Sequence, residues 1–422
     1  AVVFDMNTCG GPCPPGTSFY FPDRNNIAPR VGVAWSPARF HGKTVIRSGF
    51  GIYYTPNQND DFSDPMESSV PRYALSSADV ANLAYPITPF LSALQNQGLS
   101  PKGLDRNRVD GYYESWNLTV QSQLPGSFTA QVGYVGGEGH HLYNAFPVNL
   151  IDPVTGKRPL AGYSQFNEKG NTANNNMHSL QTQVQRNFTN GFLWQANYMW
   201  SHVITDASSG AGESVALEIP NCRACDRGNA PYDIPQNVTT SLVYELPFGP
   251  GKAFLNSSGL RRVAGGWEVS GIASARSGLP INVVVTRKAA IMPFGYAANQ
   301  RPNAVSGVSM IPAAGQSVNA WFNKAAFAVP ADFTFGNLGM NVGRGPGEWE
   351  AALALSKRTA INDRFTLNFR AEAFNLFNHP NYANPAANIS SGTFGRITSI
   401  LNSGPTGTGG TRKIEFMLRL EF

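Results

Sequence analysis

The sequence predicts an all-β protein, an antiparallel transmembrane β-barrel of about 11–12 strands. Three observations carry the prediction. Apolar and polar residues alternate with period two along segments of about ten residues. Short turns alternate strictly with long connections rich in Asn, Gly, Pro and Ser. Charged residues make up only 14% of the 422 residues, against about 25% in an ordinary soluble domain.

Eleven segments fit the strand template, near 27–37, 43–55, 112–124, 127–138, 178–188, 191–204, 237–247, 266–277, 349–359, 364–377 and 412–422. In the third, Trp116, Leu118 and Val120 alternate with Asn117, Thr119 and Gln121, and in the fourth Phe128, Ala130, Val132 and Tyr134 alternate with Thr129 and Gln131. Leu180, Thr182 and Val184 alternate with Gln181, Gln183 and Gln185, and the next segment sets Trp194, Ala196, Tyr198 and Trp200 against Gln195 and Asn197. Near the end, Phe365, Leu367, Phe369, Ala371 and Ala373 oppose Thr366, Asn368, Arg370 and Glu372. The final segment sets Ile414, Phe416, Leu418, Leu420 and Phe422 against Lys413, Glu415, Met417, Arg419 and Glu421. On a strand the two sets project to opposite faces. No long amphipathic helix is visible.

Tight turns at Pro125-Gly126, Asn190-Gly191 and Asn362-Asp363, with Pro37 to Gly42 and a longer link near 248–265, join strands in pairs. Between the pairs lie long connections near 56–110, 139–176, 205–236, 278–348 and 378–411. Short turns at one end and long loops at the other are the layout of an outer-membrane barrel, with short periplasmic turns and long extracellular loops. A soluble sandwich or propeller also buries one face of each strand. Here the polar face is rich in Gln, Asn and Thr, as a wet lumen requires, and the other carries Trp and Tyr near strand ends, as membrane interfaces require.

Other classes fall away. No apolar run reaches the roughly 18–20 residues of a transmembrane helix. Residues 1–25 show no basic region followed by an apolar one, and the chain starts at Ala1, which reads as an internal or mature segment. The net charge of +5 comes from scattered residues, which gives nucleic-acid binding no support. With the C-terminus periplasmic, an odd count of eleven leaves residues 1–25 as an extracellular loop remnant and 26–422 as barrel. An odd number cannot close with an antiparallel seam. Eleven is half of the 22 strands of plugged outer-membrane transporters, so the chain reads as an incomplete part of a larger barrel.

Particular stretches resemble the large TonB-dependent receptors of the Oar-like type. They are Asn26-Ile-Ala-Pro-Arg-Val-Gly-Val-Ala-Trp35, Lys43-Thr-Val-Ile-Arg-Ser-Gly-Phe-Gly-Ile-Tyr-Tyr54, Ser115-Trp-Asn-Leu-Thr-Val-Gln121, Val243-Tyr-Glu-Leu-Pro-Phe-Gly249 and Gly266-Trp-Glu-Val-Ser-Gly271. The most specific are Arg370-Ala-Glu-Ala-Phe-Asn-Leu-Phe-Asn-His-Pro380 and the terminal Phe422. The matched stretches run from about residue 26 to the end and resemble the C-terminal half of that family's barrel. The resemblance implies an outer-membrane receptor that imports a bulky, scarce ligand on energy from the TonB system. The family's plug domain and TonB box have no counterpart in these residues. It further implies that Phe416, Leu418, Leu420 and Phe422 form a C-terminal signal read by the barrel-assembly machinery. The terminal aromatic also suits a lipid-facing anchor. A passive porin and a secreted β-rich adhesin are the alternatives.

Few residues suggest chemistry. Cys9 and Cys13, and Cys222 and Cys225, lie in predicted extracellular loops, where local disulfides are expected; a zinc site built from all four is the alternative. Asp60, Asp61 and Asp64 lack the spacing of a calcium loop and read as solvated charge. The adjacent His140 and His141 read as loop residues, because neighbours on a strand do not converge on one metal. Arg370, Glu372, Lys413, Glu415, Arg419 and Glu421 are lumen-facing candidates for contact with a plug or a ligand, or for cross-strand ion pairs. No catalytic constellation, resident metal or cofactor is expected.

Overall fold

A computed structural model describes residues 3–55, 73–74, 85, 92–93, 101–207, 217–220, 222–256, 261–296, 300–401 and 410–422. The acidic trio at Asp60, Asp61 and Asp64 lies outside them. Eleven strands form one continuous antiparallel meander. They are β1 (Arg30–Trp35), β2 (Thr44–Tyr54), β3 (Tyr112–Leu124), β4 (Phe128–Val148), β5 (Phe166–Thr189) and β6 (Phe192–Thr205). β7 (Gln236–Glu245), β8 (Trp267–Arg276), β9 (Glu348–Ala360), β10 (Thr366–Phe374) and β11 (Lys413–Glu421) complete the order. Each pairs with its sequence neighbours, and two short pieces, Gly103–Leu104 and Gly228–Asn229, add to the margins of β5 and β6.

The sheet is open. Among the described residues, β1 and β11 each pair on one side only. Eleven antiparallel strands leave these two edges running in the same direction, so they cannot join in an antiparallel seam. The wall is therefore part of a barrel.

Turn chemistry sets the short end. Asn190 and Gly191 have φ of 55° and 78°, the left-handed pair that a two-residue hairpin needs to match strand twist. Cross-strand register then places one set of side chains on each face. Trp116, Tyr134, Leu180, Trp200, Val238, Leu353, Phe369 and Leu418 lie on the outward set. Phe416 is 73% exposed and Leu418 69%, and among the described residues no second sheet covers them. A water-soluble protein would bury such a surface, so this face belongs in lipid. Near the upper interface Trp116 lies flat against β4. A Cβ on Gly136 would come within 2.4 Å of the indole nitrogen, so only glycine fits there.

Two expectations need correction. Residues 139–148 and 166–177, expected within a loop, continue β4 and β5, and the connection shrinks to 149–165. His140 and His141 are accordingly strand residues. At about 3.3 Å per residue, the 21-residue β4 is ~70 Å long, far more than an apolar band of ~25 Å requires. Beyond the bilayer connections cover these strands and bury Ala145, Phe166, Glu168 and Lys169, so lipid no longer imposes alternation while backbone pairing persists.

The long connections are not all loose. Those after β8 and β10 pack together around Ile281, Val283, Val285, Phe322, Phe327 and Ile389. Phe394 stacks on Phe322 at 6.0 Å and meets Phe327 edge-on at 5.5 Å.

Leu353 lies on the outward face midway between Lys357 and Trp349. Leu353→Arg is expected to destabilise the wall by ~2–4 kcal/mol in lipid vesicles, the cost of arginine near the bilayer midplane. Ile272→Arg, on the lumen face, should change urea unfolding by less than about 1 kcal/mol.

Candidate functional site

The concave face divides into two sectors. Over β3 to β7 it is uncharged along one row: Gln121, Gln131, Gln183, Asn197 and Thr239 lie directly opposite one another on successive strands. The Asn197 amide donates to Thr239 Oγ1 at 3.3 Å, and Gln195 Nε2 donates to Asn197 Oδ1 at 3.2 Å. At the β2 margin Arg47 Nη1 donates to Gln121 Oε1 at 2.7 Å. A cavity of about 290 Å³ opens among Gln131, Gln181, Gln183, Asn197, Asn237 and Thr239. Such a wall offers both donors and acceptors with no fixed charge.

Over β8 to β11 the same face is ionic. Arg276 pairs with Glu348 across β8 and β9. Arg370 Nε donates to Glu372 Oε1 at 2.6 Å, and Arg370 Nη1 donates to Ser356 Oγ at 3.4 Å. Arg419 is 3.6 Å from Glu421. Arg370, Arg419 and Glu421 border one cavity of about 500 Å³ near the short turns, with Lys252, Glu245 and Arg358. Glu372 borders a neighbouring, more apolar one with Val243 and Ile272. Lys413 and Glu415 sit at the opposite end of β11 and do not join the larger cavity. Glu415 is directly opposite Glu372, a like-charge pair that the Arg370 contact offsets.

The long-connection end holds buried ionic chemistry that sequence reading missed. Arg301, 3% exposed, pairs through Nε with Glu218 at 2.5 Å and through Nη1 with Asp226 at 2.6 Å. Its Nη2 donates to the Cys225 carbonyl at 2.9 Å and its Nε to the Leu338 carbonyl at 2.9 Å. The two acids are held in turn, since the Glu218 backbone N–H donates to Asp226 Oδ2 at 2.8 Å. Asp233, fully buried, accepts from Arg344 Nη2 at 2.8 Å and from the Val203 N–H at 2.8 Å, which fixes a loop to the top of β6. The ion-pair partners lie 75 to 111 residues apart, so no local spacing announces them.

Cys222 and Cys225 are bridged, with Cα atoms 5.4 Å apart, immediately before Asp226. Cys9 and Cys13 are bridged as well, at 5.3 Å. His140 lies 3.6 Å from Glu138, with its ring 5.0 Å from that of Tyr112, and His141 points its ring toward the same tyrosine at 6.1 Å. Among the described residues no group of three or more His, Cys, Asp or Glu side chains is arranged to hold a metal ion.

The decisive comparison is with the family described as "Outer membrane beta barrel domain", whose profile matches residues 3–415. The chain belongs to this family. Its outward apolar face is thereby placed in the outer membrane. The fold is also similar to solved structures, each at low identity. The outer membrane transporter YddB from Escherichia coli shares 10% identity at a TM-score of 0.48, with 94% of this chain covered and 40% of that one. The ferripyoverdine receptor of the outer membrane of Pseudomonas aeruginosa shares 10% at 0.44, over 94% and 33%. The ferric-catecholate import receptor Fiu from K12 E. coli shares 11% at 0.40, over 93% and 34%. The chain thus spans less than half the length of each of these proteins. No curated protein matches the sequence.

Burial pushes the Glu218 carboxyl up from 4.5 to about 7, against the pull of Arg301. The folded loops therefore keep a proton that the unfolded chain would release in that window, and the stability of this cluster falls as pH rises from 4.5 to about 7. Hydrogen exchange in 217–235 and 300–340, corrected for intrinsic rates, should be slower at pH 5 than at pH 8, and Glu218→Gln should erase the difference. Arg301→Leu leaves two buried carboxylates without their cation and should loosen the same segments by about 3–5 kcal/mol.

Proposed function

We propose that the chain is the C-terminal barrel portion of a TonB-dependent outer-membrane receptor of the Oar-like type, importing a bulky, scarce ligand. The observation that carries this reading is the open wall of eleven strands with two edges that run parallel. A passive pore needs a closed wall, and bacterial single-chain barrels close with an even number of strands. Further strands paired to β1 and β11 would give a wall wide enough to need a plug. The ionic lumen sector supports the same reading. In it Arg370, Glu372, Arg419 and Glu421, with Lys413 and Glu415 toward the long-connection end, contact a plug domain or line the ligand path. The residues placed there favour binding and passage over catalysis, so the role is non-enzymatic.

In this reading the TonB system reaches the chain indirectly, through the plug. The packed connections after β8 and β10 form part of the ligand-facing surface. The two local disulfides stiffen the outer loops and take no part in transport. Phe416, Leu418, Leu420 and Phe422 present the C-terminal signal to the barrel-assembly machinery.

The test is ligand-dependent growth or uptake in cells carrying the full-length receptor, with and without a working TonB system. Uptake is expected to stop when TonB is disabled, and Arg370→Ala with Glu372→Ala should lower it several-fold at unchanged surface level. Uptake that continues undiminished without TonB would overturn the assignment in favour of a passive pore. Deletion of Phe422 should cut the amount of heat-modifiable, folded barrel in the membrane without changing the uptake rate per folded molecule.

A further inference from the structure

The neutral sector of the concave face is wider than a single row. At the lumen-facing positions within 113–123, 129–139, 175–185, 193–205 and 237–245, the single charged side chain is Glu245, at the short-turn end, where Lys252 Nζ meets its Oε2 at 2.5 Å. On the next three strands the same face carries Glu268, Arg276, Glu350, Arg358, Arg370 and Glu372. Either sector would hold water, so a wet lumen alone does not account for the sorting.

Side-chain amides fill the neutral sector. Gln131 stands on β4, Gln181 and Gln183 on β5, Gln195 and Asn197 on β6 and Asn237 on β7. All but Gln195 border the cavity of about 290 Å³. The bonds they make with one another and with neighbouring hydroxyls are long: 3.2 Å from Gln195 to Asn197, 3.3 Å from Asn197 to Thr239 and 3.4 Å from Gln181 Nε2 to Ser179 Oγ. Each amide has two N–H donors and a carbonyl that accepts twice. Among the described residues, these bonds leave most of that capacity turned to the lumen.

Such a surface selects by charge and by hydrogen-bond pattern. A charged ligand would leave bulk water for a wall that offers no countercharge. An apolar ligand would strip water from the amides and return no bonds. A hydroxyl is donor and acceptor at one atom, so a polyol replaces water bond for bond and needs no fixed register of N–H and C=O groups. The row from Gln121 to Thr239 places one polar side chain on each of five adjacent strands. At ~4.8 Å per strand the row is ~19 Å long, with a spacing close to the repeat of a hexose chain.

We propose that the neutral sector binds an uncharged, hydroxyl-rich ligand of the class of neutral oligosaccharides, through Gln131, Gln181, Gln183, Asn197 and Asn237. The ionic sector is then left to the plug, and the ligand passes along β3 to β7. This assignment rests on the reading of the chain as a transporter wall and names the ligand class for it.

The test is calorimetric titration of the purified full-length receptor with hexasaccharides of glucose, xylose, mannose and N-acetylglucosamine, and with oligogalacturonate and ferric citrate as charged probes. Wild type should bind at least one neutral hexasaccharide with a Kd below millimolar, equally well at low and high salt, and neither charged probe. Gln183→Leu with Asn197→Leu should weaken that binding about tenfold or more, the loss of two hydrogen bonds. Gln131→Leu should weaken it several-fold and decides the matter should the double variant fail to fold, with folding checked by heat-modifiable gel migration. Absence of binding to every neutral probe, preference for a charged one, or wild-type affinity in the folded leucine variants would overturn the proposal. The titration needs no TonB. Missing saccharide affinity beside TonB-dependent uptake therefore removes only the ligand class, whereas saccharide affinity beside uptake that ignores TonB removes only the energised-transport reading.

Discussion

The whole structure depends on where backbone hydrogen bonds end. Hydrocarbon offers no partner for an N–H or C=O, so strands survive there only inside a ladder that has no edge. Nine of the eleven strands meet that condition on both sides, and β1 and β11 meet it on one. Outward side chains on both edge strands are apolar: Val31, Val33 and Trp35 on β1, Ile414 through Leu420 on β11. Side chains suited to lipid on strands whose backbones are half-paired are the signature of edges meant to be joined. Charge or proline, by which exposed edges of soluble sheets guard against association, is missing from their outward positions.

The membrane-embedded part of the fold was legible because lipid imposes a rule on every second residue. Trp116, Leu118 and Val120, or Phe416, Leu418 and Leu420, declare their face whatever lies elsewhere in the chain. All eleven strands could be placed from that signal and the turns. Where the rule stops, so did the reading: the upper parts of β4 and β5, where Gly139 faces Asn175 and Asn144 faces Gly170, show no apolar alternation and were expected to be loop. Their pairing is enforced by the ladder below them.

The long-connection end was harder to read for a different reason. Glu218, Asp226 and Arg301 look in sequence like ordinary surface charge, and only the packing of separate connections reveals them as buried. Ion pairs of this kind add little net stability over apolar packing, because desolvation consumes much of the attraction. What they supply is definition. A buried arginine that must meet two carboxylates and two carbonyls has few alternative arrangements, and this selects one conformation among the many open to Gly- and Pro-rich chain. The lumen charges sit at a third level: their face is legible from alternation, while their grouping of Arg370 with Glu372, and of Arg419 with Glu421, needs the register.

The height of the β4–β5 hairpin has a mechanical consequence. At the usual tilt of about 40° its ~70 Å length rises roughly 50 Å, so about half of it stands clear of the apolar band. At the tip, the Ile151 N–H donates to the Phe294 carbonyl at 3.1 Å, and Arg158 Nη1 donates to the Asn149 carbonyl at 2.6 Å. The hairpin is thus a mast braced against the connection that follows β8. Push on that connection from outside, and the load passes down two long paired strands into the middle of the wall, far from its open edges.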